Sequence, residues 1–247
     1  MASINKPIPG SRNPVSYIDG LTARVLSGTT LTLSAGSCSD SINNIEMMIS
    51  DAITINAAVN GINGLDTGSL AANAFYYVYV IGDSGGNHLS KSILSASIVA
   101  PKLPYGYDSW RMVDIKLTGG STSFVPSYTI SNGVHRKFVY TTPYPITGID
   151  LIATYDVEAL NLCVAPVALS NVSFEVIFDP DVAGDIVYMS IDGVNDYAEI
   201  SGPVVGVPQV TDVECPALLV TSVPSIYLKS SNINTVELYV KSFGYTV

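Results

Sequence analysis

The chain of 247 residues carries a formal net charge of −10 at pH 7; 47% of its residues are hydrophobic and only 13% are charged. This composition excludes a disordered chain, and the length suffices for one large β domain or two modest ones. So few charges leave little polar material to cover a monomer, which predicts burial in a homo-oligomer, a trimer being favoured.

The chain opens with Pro7, Pro9, Gly10, Asn13 and Pro14, so residues 1–20 are expected to form an extended N-terminal arm rather than regular structure. The first ten residues lack the apolar run of a secretory signal, and no stretch approaches the ~20 apolar residues of a spanning helix. A cytoplasm is therefore the expected site of synthesis, with no membrane partner. From residue 21 the pattern is β almost throughout. Leu31 and Leu33 alternate with Thr30 and Thr32 behind a Ser27-Gly28 turn, as in a strand leaving a hairpin. Between Asp40 and Ala58 two periods compete: Ile42, Ile45, Met48 and Ile49 suit a helical face, whereas Ala52 to Val59 reads as a strand. Strands are assigned there. Ala74 to Gly82, "AFYYVYVIG", is aromatic and β-branched and reads as a central strand. Val172, Phe174, Val176 and Phe178 share one face of a later strand, as do Val236, Leu238 and Val240; each such face is expected to be core.

Turn dipeptides (Asn60-Gly61, Asn63-Gly64, Gly119-Gly120, Asn132-Gly133, Asp179-Pro180, Asp192-Gly193) punctuate the chain at short intervals. The predicted fold class is all-β: two antiparallel β-sandwich, jelly-roll-like domains in series, with the extended N-terminal arm. Charge places the boundary. Up to Lys137 nine Lys/Arg face eight Asp/Glu; from Phe138 onward two face thirteen. The expected domains are 21–135 and an acidic 136–247. So acidic a half disfavours a nucleic-acid partner. His135-Arg136-Lys137, the one basic cluster, is expected to be a solvated linker, with contact to an acidic neighbour the sharper alternative.

Two strings invite an enzymatic reading. Gly82-Asp83-Ser84-Gly85-Gly86 matches the run around a chymotrypsin-like nucleophile, and Asp66-Thr67-Gly68-Ser69 matches the aspartic-protease signature. A serine nucleophile needs a positioned base, and that family places its His before the Ser; here both histidines, His88 and His135, follow Ser84. Asp66 follows a Gly/Asn turn region rather than the apolar strand its mechanism requires. Both strings therefore read as turns, and no catalytic residue is assigned. Asp179, Asp181 and Asp185 lack the ladder of a Ca²⁺ loop and read as a solvated acidic turn, so no metal and no cofactor site is expected. Trp110 with Tyr76, Tyr77, Tyr79, Tyr105 and Tyr107 reads as core or subunit interface rather than a sugar platform. Asn171-Val172-Ser173 fits a glycosylation sequon, which matters only in a secreted chain. Cys38, Cys163 and Cys215, odd in number and widely spaced, read as buried reduced thiols.

The run "NGINGLDTGSLAANAFYYVYVIGDSGGN" (Asn60 to Asn87), followed by "LPYGYDSWRMVDIKLTGG" (Leu103 to Gly120), resembles a segment of structural proteins of tailed-bacteriophage virions. The resemblance covers roughly residues 20 to 140 and departs at Arg111-Met112-Val113-Asp114, where Arg-Arg-Ile-Gly is usual. It implies a non-enzymatic virion component assembled in the bacterial host cytoplasm: a capsid decoration (cement) protein or head appendage. Residues 21–135 would anchor it to the particle and its partners would be the major capsid protein or neck and tail proteins. A tail fibre, neck appendage or host-glycan-binding receptor protein, with Tyr188 or Tyr197 exposed for sugar, is the alternative.

Overall fold

In the computed structural model the described residues are 6–7, 17–151, 156–159, 164–165, 169–178, 180, 182–202, 205, 208–215, 219–220, 223–231 and 234–247. Among them every regular element is a strand, and the chain forms two compact units, Met1–Phe138 with Val247, and Val139–Thr246.

The first unit contains β1 (Lys6–Pro7), β2 (Ile18–Gly20), β3 (Ala23–Ser27), β4 (Thr30–Leu33), β5 (Gly36–Ser39), β6 (Ile45–Ile49), β7 (Ile53–Asn56), β8 (Phe75–Gly82), β9 (Lys91–Ser95), β10 (Ser109–Leu117) and β11 (Ser127–Asn132). The first ten form three antiparallel sheets, ordered β1-β6-β5-β2, β10-β8-β9 and β3-β4-β7, and β11 lies outside these three. Leu31 and Leu33 are fully buried on β4 behind the Ser27–Thr30 hairpin, as their alternation with threonine requires. The strand assignment over Asp40–Ala58 holds. Ile45, Met47 and Ile49 point inward on β6 while Ile42 is 73% exposed, so the period is two and the helical set is split between core and solvent. Strand β8 lies in the middle of its sheet and is buried on both faces from Tyr76 onward. Of the expected arm, Lys6–Pro7 pairs with Glu46 and Ile45 at the edge of β6 and Tyr17–Gly20 is described; the rest lies outside the described residues.

A tight corner follows β2 and leads into β3. Gly20 and Leu21 both take the left-handed conformation, φ +65° and +54°. Leucine is costly there, yet its side chain is fully buried. Arg136 holds the corner: its two terminal nitrogens donate to the carbonyls of Gly20 and Leu21, each at 2.9 Å. Gly36 faces the corner across the sheet, where a Cβ would sit 2.2 Å from the Asp19 carbonyl; only glycine lets the strands approach so closely.

This corrects the linker expected at His135-Arg136-Lys137. These residues begin strand β12 (His135–Leu151), within which the chain passes from the first unit to the second between Phe138 and Val139. Strand parity turns Arg136, Phe138 and Tyr140 inward and leaves His135 exposed. The basic residue at the centre of the cluster is thus a core residue.

The second unit continues with β13 (Asp156–Ala159), β14 (Leu169–Phe178), β15 (Asp185–Ser190), β16 (Ala198–Gly202), β17 (Gln209–Cys215), β18 (Leu219–Val220), β19 (Val223–Ser230) and β20 (Asn234–Thr246). Two antiparallel sheets, β12-β20-β14-β17 and β13-β19-β15-β16 with β18 on β19, make it a β-sandwich. The predicted faces are core. Phe174 pairs with Val240, Val176 with Leu238 and Phe178 with Val236, and all six are buried. Val187, Met189, Ile200, Ile226 and Leu228 are apolar side chains buried in the other sheet. Each such side chain contributes about 1.5–3 kcal/mol.

Candidate functional site

The Gly82–Gly86 string is a turn built around one carboxylate. Asp83 accepts the backbone N–H groups of Gly85 and Asn87 at 2.8 Å and of His88 at 3.1 Å, and His88 Nδ1 lies 3.0 Å from its Oδ2. The hydrogen bond from His88, reinforced by those amides, holds the Asp83 carboxyl below its ordinary range. Gly86, at φ +72°, closes the turn by donating to the Asp83 carbonyl at 3.0 Å.

Ser84 is held by a second carboxylate. Its amide donates to Asp108 Oδ1 at 2.8 Å and its hydroxyl to Asp108 Oδ2. The Ser84 hydroxyl is the main reason the Asp108 carboxyl titrates below its usual value. A carboxylate so stabilised in its ionised form is a poor base at neutral pH, so this bond anchors the hydroxyl rather than activating it. His88 packs its ring against Tyr107 at 5.5 Å, and Tyr107 donates to the Leu89 carbonyl at 3.2 Å. Gly106 is at φ +87°, and a Cβ there would lie 2.7 Å from the His88 ring. The turn containing Ser84 and the Leu103–Ser109 segment are therefore locked face to face. Both segments are legible in the sequence, but the bonds between them join residues twenty-four positions apart.

Asp66 plays a similar part. Its Oδ2 accepts the Lys102 amide at 2.9 Å and its own amide donates to the Leu94 carbonyl at 2.7 Å, while Tyr76 donates to the Ser69 carbonyl at 3.3 Å. The Asp66–Ser69 string ties the loop before β8 to β9 and to the entry of Leu103–Ser109.

A buried polar cluster escaped the sequence reading altogether. Asp114 and Lys116 on β10 are fully buried, 3.2 Å apart. Asp114 also accepts Thr129 Oγ1 at 2.8 Å and the amides of Ala23 and Ile115 at 2.5 and 2.7 Å, so it joins β10, β11 and the corner before β3. Lys116 Nζ donates to Thr129 at 3.1 Å and sits 5.3 Å from the Phe138 ring centroid. Burial pulls Lys116 below the ordinary lysine value, against the attraction of Asp114. From Val113 to Leu117 β10 is buried on both faces, and its register against β8 shifts between Met112 and Asp114. The one sequence signal was a charged pair two residues apart in an apolar strand, which ordinarily marks a solvent face. Nearby, Arg111 donates to the Val247 carbonyl at 2.9 Å, and Arg136 Nε, itself buried, has no hydrogen-bond partner among the described residues.

The remaining candidates scatter. Tyr76, Tyr77, Tyr79 and Tyr107 are buried and Trp110 packs edge-on to Tyr79 at 5.6 Å, whereas Tyr105 is fully exposed. In the second unit Lys229 lies 4.7 Å from the Tyr188 ring centroid, and Tyr197 is exposed with its hydroxyl donating to the Glu214 carbonyl at 3.1 Å. Asn171 bonds Glu214 through its side chain. Asp185 is buried and accepts the Val182 amide at 3.0 Å, so it is a turn anchor rather than the solvated group expected; Asp179 and Asp181 lie outside the described residues. Cys38 and Cys215 are buried free thiols, each pushed up to about 12 by burial, and Cys163 lies outside the described residues. Among the described residues no three His, Cys, Asp or Glu side chains cluster to hold a metal ion, and no helix is long and apolar enough to cross a membrane.

No family model and no curated protein matches the chain. Among solved structures, that of infectious bursal disease virus Gx strain aligns over 97% of this chain and 68% of its own, at 12% identity and a TM-score of 0.19. A superposition that loose carries no argument about function.

Proposed function

We propose that the chain is a non-enzymatic structural protein of a tailed-bacteriophage virion: a capsid decoration (cement) protein or head appendage, present as a homo-oligomer and bound through its N-terminal region. The observation that carries this reading is the use to which the phage-like segment puts its polar residues. Asp66, Asp83, Ser84, Tyr107 and Asp108 spend their side chains on backbone amides, carbonyls, the His88 ring and one another. Side chains used in this way hold loops in place, which supports a structural role for the segment. Leu26, Ile42, Val99, Tyr105 and Ile130 stand exposed on the first unit, surface that contact with neighbouring subunits or capsid would bury. The partners are the major capsid protein or neck and tail proteins, with neither nucleic acid nor membrane; the acidic second unit faces outward and keeps the particle soluble.

The test is the copy number of the chain on purified virions, followed through a heat or denaturant ramp against the major capsid protein. Hundreds of copies, with shells losing integrity as the chain dissociates, are expected. A handful of copies travelling with isolated tails or necks would replace decoration by an attachment role, and absence from the particle would overturn the reading.

A further inference from the structure

A cleft of about 230 Å³ opens on the first unit where the hairpin turn at Thr29, the Ala57–Asn60 turn and the Gly68–Leu70 stretch meet, with Thr122 at the rim. It lies immediately beyond Asp66, so the string that suggested a protease borders it. Four observations bear on what it takes. Its lining contains no charged residue, on a chain whose formal net charge is −10. Thr29, Asn60 and Ser69 line it, and their side chains make no hydrogen bond to other described residues. Ala57, Ala58 and Leu70 add an apolar patch beside these polar groups. The rim is held in an unusual backbone state: Thr122, a β-branched residue, sits at φ +57°, and Gly68 at φ +76° has open space where a Cβ would stand. Thr122 is the strained position of the two, and such positions collect at ligand-binding loops.

We infer that this cleft binds one neutral, polyhydroxylated unit: a saccharide ring, free or at the end of a surface glycan. Neutral hydroxyl and amide groups exchange donors and acceptors with ring hydroxyls, and the apolar patch meets the C–H face of the ring. A charged ligand would find no counter-charge. The volume falls below the roughly 300–1,000 Å³ of drug-sized pockets, which limits the occupant to about one ring. So small a ligand in an open cleft binds with a Kd of millimolar order. The inference stands apart from the virion reading, since copy number on the particle tests one and sugar binding the other.

The test is a titration of the isotope-labelled full chain with N-acetylglucosamine, glucose, galactose and rhamnose, followed by amide chemical shifts. At least one sugar should give saturable shifts confined to Thr29, Ala57–Asn60, Gly68–Leu70 and Thr122. Ala58→Trp, which fills the cleft, should weaken that binding by about tenfold or more. Asn60→Ala, which removes one polar partner and keeps the space, should weaken it several-fold and decides the matter should the tryptophan disturb the fold. Soluble glycan fragments from a bacterial envelope form the second arm. Shifts from fragments alone mean that the ring is read within a glycan; shifts from monosaccharides mean that the ring suffices. No saturable shift from any sugar or fragment, or equal binding by Asn60→Ala, would overturn the inference.

Discussion

The two units solve the same problem with different materials. In the first, nearly balanced in charge, Asp40, Asp83, Arg111, Asp114, Lys116 and Arg136 are all buried; in the described part of the second, which carries the acidic excess, Asp185 is the one buried charge. The first unit is made of short strands and many turns, and carboxylates and guanidinium groups act as fixed anchors for backbone that the ladders leave unpaired. The second relies on longer strands whose alternating apolar residues meet across the sheet. Charge in the first unit is therefore structural, while charge in the second lies mostly on its surface.

The sharpest way to break that contrast is Asp114→Ala. It leaves Lys116 buried without its counter-ion and strips an acceptor from the amides of Ala23 and Ile115, so a loss of about 3–5 kcal/mol is expected. Lys116→Met should cost clearly less, because Asp114 keeps two backbone donors and Thr129. The chain's single tryptophan, Trp110, packs on Tyr79 in the first unit, so its fluorescence during unfolding reads this loss. An Asp114→Ala chain with an unshifted tryptophan transition would remove the buried pair from the account.

Leu238→Ala in the second unit should cost about 2–5 kcal/mol through its cavity, moving the circular-dichroism transition and leaving the tryptophan signal in place. A matching shift in tryptophan fluorescence would show that the units unfold as one. Arg136→Met should cost about 2–3 kcal/mol: two carbonyls of a left-handed corner lose charge-assisted donors. Proteolysis after Gly20 would be expected to quicken as that corner loosens.

Alkaline pH acts on both units alike. Cys38 and Cys215 are raised to about 12 from the ordinary 9.0. Above pH 9 the unfolded chain ionises these thiols while the fold keeps them protonated, so the unfolded state binds fewer protons and stability falls as pH rises from 9 towards 12. In a Cys163→Ser background, neither thiol should take up a thiol reagent at pH 8 until the chain unfolds. Labelling of the folded protein would refute their burial.

The smallest contrast lies inside the Gly82–Gly86 turn. Asp83→Ala should cost about 1–3 kcal/mol, since the turn loses the acceptor for three amides, whereas Ser84→Ala should stay near 1 kcal/mol or below. A serine whose removal abolished a measurable peptidase activity would reverse the reading of this loop.

Period-two alternation and turn residues determined the all-β class, the core faces of β14 and β20 and the hairpin of β3 and β4, because those features depend only on which side of a strand each residue occupies. The same reasoning read Gly82–Gly86 as a turn, since glycine and aspartate carry that information locally. It could not place Asp114, Lys116 or Arg136. In an isolated strand a charged residue is cheapest facing water, and Asp114 and Lys116 share one side of β10 as any amphipathic strand would arrange them. Tertiary structure decided otherwise by covering that side too, with Thr129 and the Ala23 amide supplied from distant parts of the chain. Likewise nothing local tells that Asp108 bonds Ser84, twenty-four residues away, or that Thr29, Asn60 and Ser69 share one cleft. Those pairings exist only once the sheets are assembled, because a polar side chain takes its role from the partners that folding brings within hydrogen-bonding distance.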